Sequence, residues 1–474
     1  MATDAAAVAA QITDGPEPVY EPGGGMRYIT PGWTFRSITD KISGIVLTRR
    51  TPLGWLGVFG FGMMLLGLFT GVVIYLLVMG VGIWGINIPV AWAFAITSFV
   101  WWIGIGHAGT LISAILLLMH QKWRTSINRI AEAMTIFAVM CAGLFPLLHL
   151  GRPWFFYFLF PYPSTMQLWP QFRSALVWDV FAVSTYFLVS LIFWYQGMMP
   201  DLATLRDRAQ NRWARLGYGV LAMGWRNSAR HWQRFGIAYL ILGGLATPLV
   251  VSVHSVVSSD FAISNLPGWH ETVFPPYFVA GAIFSGFAMI LVLCIIIRNA
   301  YGLKDFITMN HLDVMGRILL ATSLVTSYGY FSEQFMSWYG HDPAEHYVYY
   351  NRLIGFGQYA GIAWTVFFCN TFAPQVLWFR PVRRNQPALF LVSVLVLIGM
   401  WLERYMIICT SLHRDFLPSS WGMFQPTVWD YLTFFSSAGL FIVMFLLFLR
   451  LLPMISMSEM RTLLPGTHAR EEGR

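Results

Sequence analysis

Charged residues are scarce in this chain of 474 residues. Asp, Glu, Lys and Arg make up 11% of it, against about 25% in average globular proteins. A water-soluble fold of this length needs more charge to cover its surface, so that class of protein is excluded. Hydrophobic residues make up 57% of the chain, and the mean hydropathy is +0.58. This composition predicts a protein that lies in lipid, where helices satisfy every backbone polar group internally.

Only four cysteines are present, and none belongs to a cofactor-binding motif. Cys141, Cys294, Cys369 and Cys409 fall singly in apolar segments, without CxxC or CxxCH spacing. Cysteine-held iron–sulfur clusters and c-type haem need such motifs. We therefore expect this chain to hold no metal ion, no haem and no iron–sulfur cluster. A phosphate-binding GxxxxGK[ST] loop is also missing, which leaves ATP-driven transport without support.

Long apolar stretches are what the sequence has instead. About ten of them reach the roughly 20 residues that a helix needs to cross a bilayer. They are Gly54–Val81, Val90–Met119, Ala131–Leu150, Ser174–Gly197, Phe235–Ser258, Phe274–Ile297, Gly316–Trp338, Leu353–Trp378, Ala388–Leu412 and Asp430–Leu452. The predicted fold is an all-α polytopic membrane protein with about ten transmembrane helices.

The distribution of Lys and Arg predicts the orientation in the membrane. The loops on one side of the predicted spans carry 16 of these residues, and the loops on the other side carry four. Cytoplasmic loops are the ones enriched in them. Both termini are therefore expected in the cytoplasm, and the net charge of +8 marks a membrane face rather than a nucleic-acid site. The segment Pro200–Gln233 is too charged to span and is expected to lie on the inner surface as an amphipathic helix.

Nine ionisable residues fall inside the predicted spans or at their ends. A charge at mid-bilayer costs about 3 kcal/mol, so such residues usually face a protein interior or a water-filled path. The nine are His107, His149, Arg152, Asp179, His254, Asp260, Glu333, Glu403 and Arg404. Apart from the central His107, all of them lie in the outer half or at the outer edge. A functional site near the outer surface is therefore expected.

Three of these residues surround one predicted turn between helices. His149 and Arg152 are one helical turn apart, and Asp179 lies about one and a half turns into the next span. A hydroquinone loses protons from two hydroxyl groups as its electrons leave, and an imidazole with an acidic partner accepts such a proton near neutral pH. We interpret His149 and Asp179 as flanking such a head group. In the alternative, Arg152 anchors lipid head groups and Asp179 pairs with Arg173 or Arg152.

The other ionisable residues form a predicted proton path. His107 is either a member of this path or a hydrogen-bonded packing residue. The polar string His254–Asp260 is either an outward proton exit or a solvated helix end. Glu403 either transfers protons or is a local partner of Arg404. Glu333, deep in its span, has the fewest structural explanations.

Four motifs carry a family resemblance through their order and spacing. They are Gly104-Ile-Gly-His-Ala-Gly109, Leu148-His-Leu-Gly-Arg-Pro-Trp154, Ser174-Ala-Leu-Val-Trp-Asp179 and His254-Ser-Val-Val-Ser-Ser-Asp-Phe261. Together they resemble the NrfD/PsrC family, the quinone-reactive membrane subunits of iron–sulfur and molybdopterin-type respiratory complexes. Within it, the chain is most similar to the ten-helix ActC-type subunit of alternative complex III. The resemblance covers nearly all of Gly54–Leu452.

The resemblance implies two four-helix bundles, formed by spans two to five and six to nine, with spans one and ten outside them. The implied divisions are a cytoplasmic segment (1–53), the first span and its outer loop (54–89), the two bundles (90–258 and 259–412), the last outer loop and span (413–452) and a cytoplasmic tail (453–474). The inner-surface segment (200–233) falls within the first bundle's division.

A menaquinol site near the periplasmic face of the first bundle is also implied, formed by His149 and Asp179 with Arg152 beside them. Electrons would pass to an iron–sulfur cluster of a periplasmic partner and then to c-type haem subunits, next to a second, homologous NrfD-type subunit. The location implied is a bacterial inner (plasma) membrane. We expect quinol oxidation with proton translocation in a quinol:electron-acceptor oxidoreductase. The alternatives are an anchor of a molybdopterin/iron–sulfur reductase, a proton-coupled secondary transporter and a passive anchor.

Overall fold

The computed structural model describes residues 2–15, 17, 19–20, 26–160, 172–354, 358–414 and 416–464, and most of these residues are helical. Nine of the described helices are long and apolar enough to cross a membrane. They are Leu53–Met79, Ala93–Leu118, Asn128–His149, Ala175–Arg208, Ala229–Ala262, Phe274–Ala300, Tyr359–Trp378, Gln386–Leu412 and Val428–Leu451. The prediction of an all-α polytopic membrane protein is confirmed.

The predicted seventh span corresponds to a helix of different composition. Met309–Gly340 has 32 residues, which is enough to cross a bilayer by length. Its buried residues include His311, Asp313 and Glu333, so it is less apolar than the other nine helices. It packs on the helices before and after it. We therefore count it as the seventh span, and Tyr359–Trp378 as the eighth.

The spans pack as two groups of four. Spans two to five contact one another in the first bundle, and spans six to nine do so in the second. The sixth span packs against the second and fifth, and the ninth packs against the second, which joins the bundles. Spans one and ten pack on each other, and span ten also contacts span three. This is the expected arrangement, while the residue divisions between segments stay predictions.

Two glycines explain how closely the second span approaches its neighbours. A Cβ atom at Gly109 would lie 2.1 Å from the carbonyl oxygen of Ala131 in span three. A Cβ atom at Gly286 in span six would lie 2.1 Å from the Cβ atom of Ala108. Residues without side chains at such contacts let membrane helices approach closely. The second span therefore sits between its own bundle and the sixth span, and His107 is buried at this junction.

Two spans contain a wide π-helical turn. In span two this turn is Leu111–Ile115, which begins four residues after His107, and in span eight it is Phe368–Phe372. A π turn holds one residue more than the α-helical turn it replaces, and such turns are frequent at functional sites. Side chains after the turn therefore point in a different direction from the one that a regular helix would give them.

The predicted inner-surface segment, 200–233, is divided between three elements. Span four continues without a break to Arg208, and the fifth span takes up the last part of the segment. Between them lies the short helix Arg212–Leu221. Two of its apolar residues, Trp213 and Val220, are 76% and 70% exposed, as is typical of a helix that lies in a membrane interface. The amphipathic helix is thus present but shorter than predicted.

Candidate functional site

The third span ends at His149, where the chain leaves the first bundle. Gly151 has a φ of +70°, a left-handed conformation that glycine adopts without strain, and Pro153 opens a short 3-10 helix. His149 is partly buried, and its buried Nδ1 atom has no hydrogen-bond partner among the described residues. Arg152 is exposed. We call this side of the protein the His149 end and the opposite side, where span three begins, the Arg129 end.

Asp179 lies one turn into span four and is buried, with 7% of its surface exposed. Its carboxyl group is within hydrogen-bonding reach of the carboxyl group of Asp260, near the end of span five. Neither buried Oδ1 atom accepts a hydrogen bond from another group in the described part of the chain. Two carboxylates in contact repel each other, so one member of the pair carries a proton that both share. The sequence singled out both residues but did not predict this contact.

The topology brings the imidazole and the carboxyl pair to the same end of the first bundle. Span three ends at His149, span four begins just before Asp179, and span five ends just after Asp260. Span four packs against both of the other two. Three of the predicted site residues therefore share one end of three neighbouring helices, with Arg152 at the surface beside them.

His107 and His254 form a pair in the middle of the molecule. Their ring centroids are 4.5 Å apart, and both side chains are fully enclosed. Nδ1 of His107 donates to the carbonyl oxygen of Ile103 at 2.6 Å, which leaves Nε2 as the acceptor of the neutral ring. That Nε2 atom and both ring nitrogens of His254 have no partner among the described residues. Two of the predicted proton-path residues are therefore in contact.

Hydroxyl groups continue from this histidine pair toward the Arg129 end. The ring of Tyr186 stacks on His107 at 5.2 Å, and its hydroxyl lies 3.0 Å from the hydroxyl of Thr110. The carbonyl oxygen of the residue before His107 accepts from Tyr186 at 3.0 Å and from Thr135 at 2.6 Å. Thr135 lies one helical turn after Glu132 on span three. Polar side chains thus extend from the histidine pair to Glu132.

A group of buried charges at the Arg129 end was missed from the sequence. Arg129 and Asp201, each 2% exposed, form an ion pair with 2.8 Å between Nη2 and Oδ2. Glu132 is 3% exposed, and its Oε1 accepts from the hydroxyl of Tyr239 at 3.5 Å. Its Oε2 has no partner in the described part of the chain. The available signal was the spacing of Arg129 and Glu132, which are one helical turn apart at the start of an apolar stretch.

In the second bundle, Glu403 and Arg404 are partners of each other. Their Oε2 and Nη1 atoms are 3.1 Å apart, as an ion pair without hydrogen-bond alignment. The hydroxyl of Tyr277 donates to the other oxygen of Glu403. The guanidinium of Arg404 lies 4.1 Å from the ring centroid of Phe278, an aromatic face that favours a cation. This geometry favours the local-pair alternative for Glu403.

Glu333 belongs to a separate cluster near the His149 side of the second bundle. Its Oε1 atom is 3.3 Å from Nη1 of Arg352 and accepts from the hydroxyl of Tyr349 at 2.6 Å. The same hydroxyl lies 2.9 Å from Oε1 of Glu271. A tyrosine hydroxyl has one proton, so only one of these carboxyl groups can accept it and the other must itself carry a proton. Burial and the neighbouring Glu333 raise the pKa of Glu271, in the loop before span six, to about 8, which favours Glu271 as the protonated member.

Sequence comparison matches most of this chain to known proteins. The family described as polysulphide reductase, NrfD, matches residues 84–414, which include both bundles. A protein of Halobacterium salinarum, provisionally named as a membrane subunit of dimethyl sulfoxide reductase, is 27% identical over 384 residues, covering 77% of this chain and 80% of that protein. A selenate reductase subunit of Mesobacillus selenatarsenatis is 25% identical over 211 residues, covering 43% of this chain and 47% of that protein.

Proposed function

This chain belongs to the polysulphide reductase NrfD family, and on that premise we propose that it is the quinol-oxidising membrane subunit of an oxidoreductase complex. The reaction converts a hydroquinone to a quinone and releases two protons and two electrons. Relatives that are named as subunits of reductases support a subunit role over independent activity. The site proposed for the head group is the His149 end of the first bundle.

The observation that carries this proposal is the carboxyl pair of Asp179 and Asp260, at the bundle end where span three finishes with His149. A pair that shares one proton has one carboxylate free to accept another. The buried Nδ1 atom of His149, without a partner among the described residues, supplies a second acceptor. One hydroquinone proton therefore goes to the carboxyl pair and the other to the imidazole. General bases placed in this way contribute about 10²–10⁴-fold to a rate.

The surroundings of the site suit a substrate that arrives from lipid. The 3-10 helix Pro153–Leu159 follows His149 directly, and its aromatic side chains from Trp154 to Phe158 are each more than one-third exposed. Aromatic side chains concentrate where a membrane meets water. In this proposal the head group lies just below the surface, with its apolar tail in the bilayer. The proposed substrate is menaquinol.

The proton path of the proposal runs through the first bundle. His254 lies less than two helical turns before Asp260 on span five, and its ring contacts His107. Tyr186 and Thr135 then extend the polar groups toward Glu132 at the other end. The bundle therefore has titratable or hydroxyl groups along its length, as proton translocation requires. The predicted path roles of Glu333, Glu403 and Arg404 stay predictions, and each of the three residues belongs to an ion pair.

Electrons leave to a partner protein in this proposal, because the sequence has no motif for a haem or an iron–sulfur cluster. The partner is an iron–sulfur subunit at the His149 end. The names of the relatives favour a reductase complex, in which this chain is the quinone-reactive anchor. The second candidate is alternative complex III, favoured by the likeness to ActC-type subunits, with c-type haem subunits and a homologous second membrane subunit as partners. Quinol oxidation is the reaction of this chain in both assemblies.

Substitutions at the site test the proposed reaction. We expect His149→Ala and Asp179→Asn each to lower menaquinol oxidation by the purified complex at least about 100-fold, because each removes one proton acceptor. The matched controls, His270→Ala and Asp207→Asn, change an exposed histidine and an exposed aspartate outside the site and should leave the rate unchanged. Assembly is checked by the stoichiometry of the subunits. Wild-type turnover in both site variants would contradict the proposal.

Purification of the tagged chain from its native membrane separates the two assemblies. A reductase complex should bring a molybdenum-containing subunit, and reduced menaquinone should support reduction of dimethyl sulfoxide or selenate. Alternative complex III should bring c-type haems that menaquinol reduces. Recovery of neither set of partners would contradict a subunit role.

We propose a bacterial inner membrane location with the Arg129 end and both termini in the cytoplasm, because Lys and Arg are concentrated in the loops at that end. Single cysteines at exposed positions 36 and 270 report the two sides in cysteine-free protein. A membrane-impermeant maleimide applied to intact spheroplasts should label position 270 only. Labelling of position 36 alone would show that the orientation is the opposite of the one proposed.

A further inference from the structure

An apolar cleft opens at the Arg129 end of the first bundle, away from the proposed quinol site. Its volume is about 580 Å³, within the range of about 300–1,000 Å³ typical of ligand pockets. Spans three, four and ten form its walls, and the short amphipathic helix Arg212–Leu221 forms another side. The lining includes Met140, Leu191, Gly217 and Phe448. The cleft accepts a hydrocarbon chain better than any polar group.

A basic pocket of about 1,030 Å³ adjoins this cleft. The two share Ala214, Tyr218 and Leu451 in their walls, so they form one continuous space with an apolar part and a polar part. The charged residues that line the basic pocket are Arg49, Arg208, Arg450 and Asp40. Three positive charges against one negative charge leave a net charge of +2 in this pocket.

The arginines are held in place by bonds that leave some of their donors free. Arg450 donates to the carbonyl oxygens of Val46 and Thr48 at 2.9 and 2.7 Å. Arg49 donates from Nη2 to the side chain of Gln210 at 3.1 Å. Each guanidinium has five N–H donors in a fixed fork, which suits phosphate oxygens. Positioned arginines with spare donors thus lie next to an apolar cleft.

We propose that the apolar cleft and the basic pocket together bind one anionic phospholipid. Its acyl chains occupy the cleft beside Gly217, and its phosphate accepts hydrogen bonds from Arg49 and Arg450. Basic pockets between transmembrane helices on the cytoplasmic side are suited to anionic head groups. The amphipathic helix Arg212–Leu221 closes over the lipid and joins spans four and ten through it.

The charge of the basic pocket distinguishes this occupant from other apolar molecules. A hydroquinone with an isoprenoid tail is neutral and would leave the net charge of +2 unmatched. A zwitterionic lipid carries a compensating cation of its own, so it gains less from the arginines. Phosphatidylglycerol carries one net negative charge, which compensates part of this positive charge, and two acyl chains, which fit the apolar cleft.

Filling the cleft tests the acyl-chain part of the proposal. No atom lies within 4 Å of a Cβ built at Gly217, so Gly217→Leu adds a side chain to the cleft without a clash at its root. Gly219→Leu is the matched control, because it lies on the same helix, outside the lining, and gains the same helix propensity. The purified complex is incubated with phosphatidylglycerol, and retained lipid is counted by native mass spectrometry. We expect Gly217→Leu to lower retention more than about tenfold, because each excluded methylene weakens binding, and Gly219→Leu to retain lipid like the wild type.

Removing one arginine tests the head-group part. Arg49→Gln should lower phosphatidylglycerol retention about fivefold, the effect typical of one basic residue near an anionic surface. Arg50→Gln is the control, since Arg50 is an exposed neighbour that does not line the pocket. Phosphatidylcholine should bind more weakly, and its retention should change little in either arginine variant. Equal retention of the two lipids, a bound quinone in place of lipid, or the same retention in all four variants would overturn the proposal. Menaquinol oxidation is measured in parallel, and its outcome bears on the proposed function alone.

Discussion

In the second bundle Glu333 lies 3.3 Å from Arg352 and Glu403 lies 3.1 Å from Arg404, whereas in the first bundle the neighbour of Asp179 is another carboxyl group. An acid beside an arginine keeps its charge, because the ion pair would be broken by protonation. A carboxyl group beside another one exchanges a proton without leaving a buried charge uncompensated. The two bundles share an architecture, but among the described residues the two carboxyl groups in direct contact belong to the first bundle.

The histidine pair extends this contrast into the middle of the molecule. His107 and His254 keep three ring nitrogens without partners among the described residues, while the arginines and acids of the second bundle are arranged in pairs. Removing one member of a buried ion pair costs about 3–5 kcal/mol, since the remaining charge is left alone. Substitutions in the second bundle should therefore lower the stability of the protein, whereas substitutions in the first bundle should lower its turnover.

The sharpest difference should come from the same chemical change made in each bundle. Asp260→Asn removes the shared proton of the carboxyl pair but keeps its shape, so we expect menaquinol oxidation to fall about 100-fold or more in an assembled complex. Glu403→Gln in the second bundle should leave turnover per assembled complex near the wild-type value. The measurement is steady-state oxidation normalised to the amount of assembled complex. Equal losses in both variants would remove the distinction between the bundles.

Breaking an ion pair of the second bundle should affect stability most. Arg352→Met leaves Glu333 buried and charged, and we expect the free energy of unfolding to fall by about 3–5 kcal/mol. Arg36→Met is the control, because Arg36 belongs to an exposed pair with Asp40, of a kind that contributes about 0–1 kcal/mol. Thermal unfolding of the purified complex measures both. A shift in Tm no larger than that of the control would show that the pair is not structural.

Uncoupling of proton movement is the effect expected at the histidine pair. His254→Phe keeps an aromatic ring against His107 but removes the ring nitrogens that can carry a proton. In proteoliposomes, the number of protons moved for each menaquinol oxidised should fall severalfold, as followed by a pH-sensitive dye. His270→Phe changes an exposed histidine and should leave the ratio unchanged. An unaltered ratio in His254→Phe would place the path elsewhere.

The smallest effect should be a pH dependence of stability from Glu271. Burial raises the pKa of this carboxyl to about 8, whereas in the unfolded chain it is about 4.5. Between these values the folded protein holds a proton that the unfolded chain releases, so stability falls as pH rises from about 4.5 to about 8 and is level above that. Glu271→Gln removes this dependence. We expect the fall in Tm between pH 4.5 and pH 8 to be smaller in the variant than in the wild type. An unchanged pH profile in the variant would contradict the assignment of the proton to Glu271.

The sequence predicted the fold well because hydropathy follows directly from burial in lipid. It also predicted which residues are unusual, since a charge within an apolar stretch is visible without a structure. Apart from the adjacent Glu403 and Arg404, it did not predict their partners. Asp179 and Asp260 are separated by most of span four, the short helix Arg212–Leu221 and most of span five, and nothing in their spacing indicates contact. Glu132 and Tyr186 were missed for the same reason, because their importance comes from neighbours on other spans.

The seventh span shows that hydropathy alone does not identify every membrane-spanning helix. Met309–Gly340 is less apolar than the other nine helices because its buried face carries acids that pair with arginines of other elements, in addition to the pair of Asp313 with Arg317 on the same helix. Arg383, for example, donates to Asp313 at 2.9 Å across 70 positions of the chain. A helix of this kind is stable in a membrane only after its partners have folded around it. Its composition reflects the assembled bundle rather than the segment alone.

The π-helical turn Leu111–Ile115 determines the direction in which the buried polar side chains of span two point. A regular α-helix turns by about 100° for each residue, so the extra residue sets the angle between the face that carries His107 and the face that carries Ser113. Deleting a single residue there would keep the helix continuous and rotate one half against the other. A change of length by one position, usually confined to loops, is therefore a way to reorient a buried polar side chain within a membrane helix.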